Sequence, residues 1–356
     1  MKKLFFIAAI AGAALVSCTK NELAQVADQD QITFVAPVVG NLTKASVYYD
    51  ATKFPETQSF DVFAYYHEGD FAGSTSTNLT TYMNDVTVGY DSALGTTDDA
   101  GTGAWTAAGY YWPKNGKLTF DAYAPSSIAM TSNANTGLAL ANYTISTDCA
   151  EQVDVLFSDR AYNKTSSIGT SIPTYDGVDI QFNHALSVVQ VKVKAENTAA
   201  VGNVKIDKVS VKNVKTTGSF AQNYTDGLGT AAPAWNLETA TDNYTFGATE
   251  YTLASSTDLV TYGDYHILLP QGFKNTELAI EVKYSIKHGT EWLSQVNSFP
   301  LYNGGHYYTT TGTSDQVRGW EMGKRYTYNI SIGLDQVYFA PQVDEWVDVD
   351  VTFPAI

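Results

Sequence analysis

Cysteine is nearly missing from this chain: two thiols, Cys18 and Cys149, occur in 356 residues. A disulfide framework is thereby excluded, and stability has to come from packing. Histidine is scarce too. His67, His184, His266, His288 and His306 are scattered, with no HxH or HExxH spacing that would bring two imidazoles to one metal. There is no GxSxG elbow, phosphate-binding loop or GxGxxG turn; Gly101-Thr102-Gly103 stands in an acidic, Thr-rich stretch. No cofactor, metal or catalytic residue is therefore expected. Basic residues are outnumbered, 21 Lys and Arg against 37 Asp and Glu, giving a net charge of −16. Such a chain repels a phosphate backbone, so no nucleic acid partner is expected. Helical periodicity is absent as well, since no long stretch holds an apolar period of 3.6 residues.

Aromatic and β-branched residues fill the space that these absences leave. With 24 Tyr, 16 Phe and many Thr and Val, the composition favours strands. Period-two alternation bounded by Gly, Asn, Asp and Pro predicts strands at residues 32–39, 60–66 (FDVFAYY), 82–90, 188–195, 205–214, 265–269, 278–286, 325–332 and 345–353. Residues 110–123 read as a hairpin whose Asn115-Gly116 would supply two positive φ angles. In residues 188–195 (VVQVKVKA), Val189, Val191 and Val193 alternate with Gln190, Lys192 and Lys194, so one face is wet. Many short strands between turns imply β-sandwiches. The turn-rich stretch 163–177 is the expected junction between a domain at 31–178 and a second at 179–356. No internal repeat is visible.

The first residues read as an export signal. Lys2 and Lys3 precede an apolar run, residues 4–16, which is short of the roughly 18 to 20 residues needed to span a bilayer. Leu15-Val16-Ser17-Cys18 then fits a lipobox, in which the Cys18 thiol receives diacylglycerol before cleavage. The expectation is a signal peptide at 1–17 and a lipidated tether at 18–30, with Cys18 as lipid attachment site and an acyl chain in the outer membrane.

Other features of the sequence have bland readings beside sharper ones. Asp98 and Asp99, or Asp348 and Asp350, could suggest paired glycosidase carboxylates or a calcium site. Asp348 and Asp350, however, fall on the polar side of an alternating strand, and Asp98-Asp99 lacks further oxygen ligands. Tyr110, Tyr111 and Trp112 are adjacent, so one of them should face outward and could stack on a sugar, although packing under a loop explains them equally. Asp91-Ser92-Ala93 resembles a short O-glycosylation signal of Bacteroidetes envelope proteins, with Ser92 as acceptor.

Several segments, in order, carry a family resemblance: Ile32-Thr33-Phe34, Thr43-Lys44-Ala45, FDVFAYY at Phe60, YYWPKNGKLTFDAYAP from Tyr110, FNHALSVVQVKV from Phe182, GKRYTYNISI from Gly323 and DEWVDVDV from Asp344. Together with the lipobox they make the chain resemble the fimbrillin family of the Bacteroidetes, the FimA/Mfa-like pilins, over nearly its whole mature length. The resemblance implies an all-β chain of two tandem transthyretin-like β-sandwich domains, with FNHALS near their junction. It also implies a non-enzymatic surface lipoprotein, a structural or accessory subunit of an adhesive pilus whose partners are other fimbrillin subunits, with a host or glycan receptor as a further partner. In polymerising members a trypsin-like protease cuts behind the first strand, and a terminal strand of the next subunit fills the groove. Carried onto this sequence, residues 32–39 are the displaced strand with Ile32, Phe34 and Val38 on its inward face, the cut falls between Lys44 and Ala45, and the donor strand presents Val347, Val349, Val351 and Phe353. The same C-terminal pattern suits an ordinary closing strand. A monomeric glycan-binding surface lipoprotein is the alternative reading.

Overall fold

The structure is a computed structural model that describes residues 31–34, 38–39, 52–93, 103–166, 177–274, 276–310, 315–335 and 337–346. Within them the chain is all-β, distributed over several sheets. Helical structure among the described residues amounts to one turn, Cys149–Glu151, whose first turn is capped where the Asp148 carboxylate accepts from the Ala150 N–H at 3.0 Å. No helix among them is long and apolar enough to cross a membrane.

One sheet is built mainly from the first half of the chain. Its order in space is Gln31–Phe34, Ala104–Tyr111, Thr77–Asp91, Phe60–Glu68, Lys117–Ala124, Leu156–Ser158, Gln181–His184, Val38–Val39 and Thr52–Lys53. The strand Thr77–Asp91 is long because it serves two neighbours in turn, Phe60–Glu68 along most of its length and Ala104–Tyr111 at its end. Register shifts along it, with Asn78 and Asp85 at positive φ, bend it from one neighbour to the other. The faces so brought together enclose an aromatic core that includes Phe34, Phe54, Phe60, Trp105, Phe120 and Phe182. Their rings meet mostly edge-on or tilted, with centroids 5.4–5.9 Å apart among the pairs of Phe34, Phe54, Phe60 and Trp105.

The second core is aliphatic and larger. Ser187–Ala195 runs parallel to Lys324–Ile332, which in turn pairs antiparallel with Val337–Glu345. Val204–Lys215 lies between Thr241–Gly247 and Ala279–His288, and Glu291–Pro300 completes that sheet. Val189, Val191 and Val193 are buried while Gln190, Lys192 and Lys194 are half-buried, as the alternation in the sequence predicts. Segments from both halves of the chain form a further sheet, in which Gly137–Thr144 pairs with Thr217–Ala221. Leu138, Leu140 and Phe157 accordingly pack in the second core although they precede residue 178.

Residues 110–123 do not form the expected hairpin. Ala104–Tyr111 pairs with Gln31–Phe34 and Thr77–Asp91, whereas Lys117–Ala124 pairs with Phe60–Glu68 and two other strands. The connection crosses between them because Trp112 is buried against Phe120, ring centroids 6.0 Å apart, which turns the chain inward at residue 112. Of Asn115 and Gly116 only the glycine has positive φ, +78°, and a Cβ there would meet the Tyr66 ring at 2.4 Å. Val337–Glu345 is a strand that the alternation does not predict, and it ends where the predicted strand at 345–353 would begin; residues 347–353 lie outside the described residues.

Two of the buried histidines stabilise the fold in their neutral form. His67 donates from Nδ1 to the Gly69 carbonyl at 3.2 Å and accepts at Nε2 from the Thr119 hydroxyl at 3.0 Å. His266 donates from Nε2 to the Thr245 carbonyl at 3.0 Å and accepts at Nδ1 from the Gln152 amide at 3.2 Å. Burial lowers the pKa of both rings. The unfolded chain takes these protons near pH 6.5, the folded chain only at lower pH, so stability falls as the pH drops below about 6.5. A chain with His67→Gln and His266→Gln is expected to lose less of its urea midpoint between pH 7.5 and pH 5.5 than the unsubstituted chain. An equal loss in both would show that these rings do not govern the slope.

Candidate functional site

The first described strand occupies a slot in the aromatic core. Gln31 pairs with Tyr111, Thr33 with Thr106 and Phe34 with Trp105, with an irregularity in register between Gln31 and Thr33. On the other side the Val178 N–H donates to the Thr33 carbonyl at 2.8 Å, and Phe34 bridges Val178 in parallel. Alternation sends Ile32 and Phe34 inward, 0% and 1% exposed, while Gln31 and Thr33 stay half-buried. Phe34 meets Phe60 at 5.6 Å and Phe120 at 5.8 Å, both edge-on. The Gln31 amide donates to Thr106 Oγ1 at 2.8 Å, and the Thr106 hydroxyl donates to the Ile32 carbonyl at 3.3 Å. Gly177, at φ +119°, lets its segment approach; a Cβ there would meet the Thr33 carbonyl carbon at 2.7 Å.

The chain then continues as Val38–Val39, which runs parallel to Gln181–Phe182 and antiparallel to Thr52–Lys53. Residues 40–51 thus connect two paired strands, and Lys44 and Ala45 belong to that connection, outside the described residues. Between them Ile32 and Phe34 contribute about 1.5 to 3 kcal/mol each by leaving water. Among the described residues, Gln31–Phe34 and Val38–Val39 are held by a short backbone ladder, the side-chain bonds between Gln31, Thr106 and the Ile32 carbonyl, and the inward side chains of Ile32 and Phe34. Ile32 and Phe34 thus cover part of the aromatic core, and their strand satisfies backbone groups along one edge of Ala104–Tyr111.

The other end of the chain is anchored near the same seam. Val337–Glu345 closes on Lys324–Ile332 through nine residue pairs, and the Trp346 N–H then donates to the Gly323 carbonyl at 3.0 Å. The Trp346 ring lies flat on His184, centroids 3.8 Å apart and 13° from parallel. His184 Nδ1 in turn contacts the Asp154 carboxylate at 2.7 Å, both side chains being buried. A His–Asp pair under an indole fixes the point from which residues 347–353 depart. Nothing local in the sequence marks this cluster, since its members stand at 154, 184 and 346.

A second buried cluster, also unread in the sequence, ties segments from the two halves of the chain. Arg160 donates through Nε and Nη2 to the two Asp121 oxygens, each at 2.7 Å, with both side chains 0% exposed. Its remaining donors reach the carbonyls of Asn133, Ala134 and Gly227 at 2.7–3.1 Å, and the Tyr224 ring lies 4.7 Å from the guanidinium.

The remaining predicted sites fare as follows. Cys18, Asp98, Asp99, Asp348, Asp350, Val347, Val349, Val351 and Phe353 lie outside the described residues. Ser92 is exposed in a turn where Asp91 Oδ1 accepts from the Ala93 N–H at 2.9 Å. Trp112 is buried, and Tyr110 is half-buried against the Tyr82 ring, so residues 110–112 present no flat outward platform. Among the described residues no three His, Cys, Asp or Glu side chains are placed to hold a metal ion.

A family model described as Fimbrillin-like matches residues 43–346. Among solved structures, a fimbrial protein from Bacteroides vulgatus superposes with a TM-score of 0.56 at 14% identity, over 81% of this chain and 92% of that one. A suspected cell adhesion protein from Bacteroides ovatus gives 0.50 at 17% identity, over 90% and 99% of the two chains. At these identities the likeness is one of fold. Curated protein sequences give no match.

Proposed function

This chain belongs to the fimbrillin-like family, and from that premise we propose that it is a structural or accessory subunit of an adhesive pilus, assembled by strand exchange. It is a non-enzymatic surface protein. In this proposal Cys18 carries the lipid that brings the precursor to the outer membrane, and the mature chain folds as two transthyretin-like β-sandwiches about residues 31–178 and 179–356. Two cores, one drawn mainly from each half, support that division, with Phe63, Tyr123 and segments within 128–157 packing in the second core and Ile180 and Phe182 in the first. An assembled pilus would present its receptor-binding surface to a host cell or glycan.

The observation that carries the mechanism is the slot of residues 31–39. A cut between Lys44 and Ala45 would leave these residues held by strand pairing, by the Gln31 and Thr106 hydrogen bonds and by the burial of Ile32 and Phe34. A donor strand that sets Val347, Val349, Val351 and Phe353 at every second position would then offer apolar side chains at the spacing the slot accepts. Processing would separate the lipid from the polymerising body, because Cys18 departs with the first strand. Limited trypsin treatment of the purified chain, followed by N-terminal sequencing and sedimentation, tests this. The expected result is a new N-terminus at Ala45 followed by growth of high-mass species. A chain that resists at Lys44, or is cut there and stays monomeric, would sink the stalk-subunit reading.

A further inference from the structure

The strand Glu291–Pro300 (EWLSQVNSFP) is the outermost strand of its sheet and pairs with Ala279–His288 through ten consecutive residue pairs without a register shift. Its second edge has no strand partner among the described residues. Sheet edges that must stay single are normally blunted by charge, proline or bulges. Two other strands of the second half that are outer among the described residues carry such devices: Val337–Glu345 has Pro341 at its centre with Asp344 and Glu345 at its end, and Thr241–Gly247 has Asp242 and two register shifts. In Glu291–Pro300 the single charge and the single proline stand at opposite ends, and nothing in between interrupts the ladder. Two apolar side chains on it stand open to water, Leu293 being 49% and Val296 57% exposed, and the polar ones between them, Ser294 and Gln295, are uncharged.

We propose that this edge binds a second copy of the chain, strand Glu291–Pro300 pairing antiparallel with itself about a two-fold axis at Val296. The sequence is complementary to itself in that register. Val296 meets Val296, Ser294 meets Ser298 and Leu293 meets Phe299, while the two Glu291 side chains lie at opposite ends of the joint ladder. A parallel arrangement would set the two carboxylates together. The contact is isologous and closes at two subunits, so it is distinct from the head-to-tail strand exchange proposed above and does not depend on it.

The test uses the full chain with Cys18→Ser, which takes no lipid and is left uncut. Sedimentation across a concentration series is expected to show a reversible dimer. Val296→Lys, at a position already open to water, is expected to weaken it by on the order of tenfold or more by placing like charges on the axis. In the additional Cys149→Ser background, Val296→Cys is expected to link two copies in air, two thiols giving one disulfide, whereas Ser298→Cys stays unlinked because its counterpart across the axis is Ser294. A chain that is monomeric throughout, a Val296→Lys chain that dimerises as well as its parent, or linking as fast at 298 as at 296 would each overturn the proposal.

Discussion

Arg160→Met is expected to lower the free energy of unfolding by about 3 to 5 kcal/mol. Methionine fills much of the same volume, so the loss comes from what is left behind: an Asp121 carboxylate with 0% exposure and no counter-ion, and three carbonyls stripped of their donor. Only Ser132, which donates to Asp121 Oδ2 at 2.7 Å, would still address that carboxylate. Removing both partners, as Arg160→Met with Asp121→Leu, is expected to restore a good part of the loss, because the stranded charge goes with its partner. Urea unfolding of the three chains measures this, and a single-substitution cost below about 1 kcal/mol would show the pair to be a bystander. Hydrogen exchange should locate the damage at residues 133–135 and 224–229, where the guanidinium ties two loops from different halves of the chain.

Phe34→Ala is the second large effect, and its interest lies in rates. Truncating a fully buried phenylalanine costs about 3 to 5 kcal/mol, here by emptying the space between Phe60 and Phe120. In the intact chain residues 31–39 remain tethered, so the loss shows as lower stability. In a chain cut behind Lys44, as proposed, the same loss would act on a fragment free to leave. If even 3 kcal/mol of it appears in the barrier to departure, release of the fragment accelerates on the order of 100-fold. The comparison is Thr33→Ala, whose side chain is half-buried and outside the aromatic core. Mass spectrometry of the fragment leaving the cut chain gives both rates. Equal release from the two variants would mean that Phe34 is not what retains the strand.

What the sequence made legible follows from where water lies. Residues 188–195 could be placed because one face of that strand is buried and the other wet, so alternation was written into the residue types. Ile32 and Phe34 could be assigned inward for the same reason. The strand Val337–Glu345 was obscured by Pro341, which suits a strand that is outermost in its sheet among the described residues, and position in a sheet is a property of the whole sheet. The error at 110–123 has a related origin. Asn-Gly reports a local bend, whereas the choice of partner strands was made by the burial of Trp112. Contacts between remote positions left no mark at all: the parallel pairing of Val38–Val39 with Gln181–Phe182, the Trp346 ring on His184, and the Arg160 cluster join residues that no local window contains. For the candidate site, the inward residues of the first strand were readable and the slot that receives them was not.

The direction in which the last strand leaves its sheet has a mechanical consequence. Val337–Glu345 runs along Lys324–Ile332 and delivers the chain at Trp346, beyond the end of the ladder. Tension applied at Trp346 and directed along the strand pulls Val337–Glu345 lengthwise. The nine residue pairs are then loaded side by side, in shear, and have to yield together. A pull across the sheet would open them one at a time, as a zipper. Within a fibre held in flow, this subunit would resist at its C-terminal strand with the whole ladder at once, and the flat contact of Trp346 with His184 would be the first joint to feel the load.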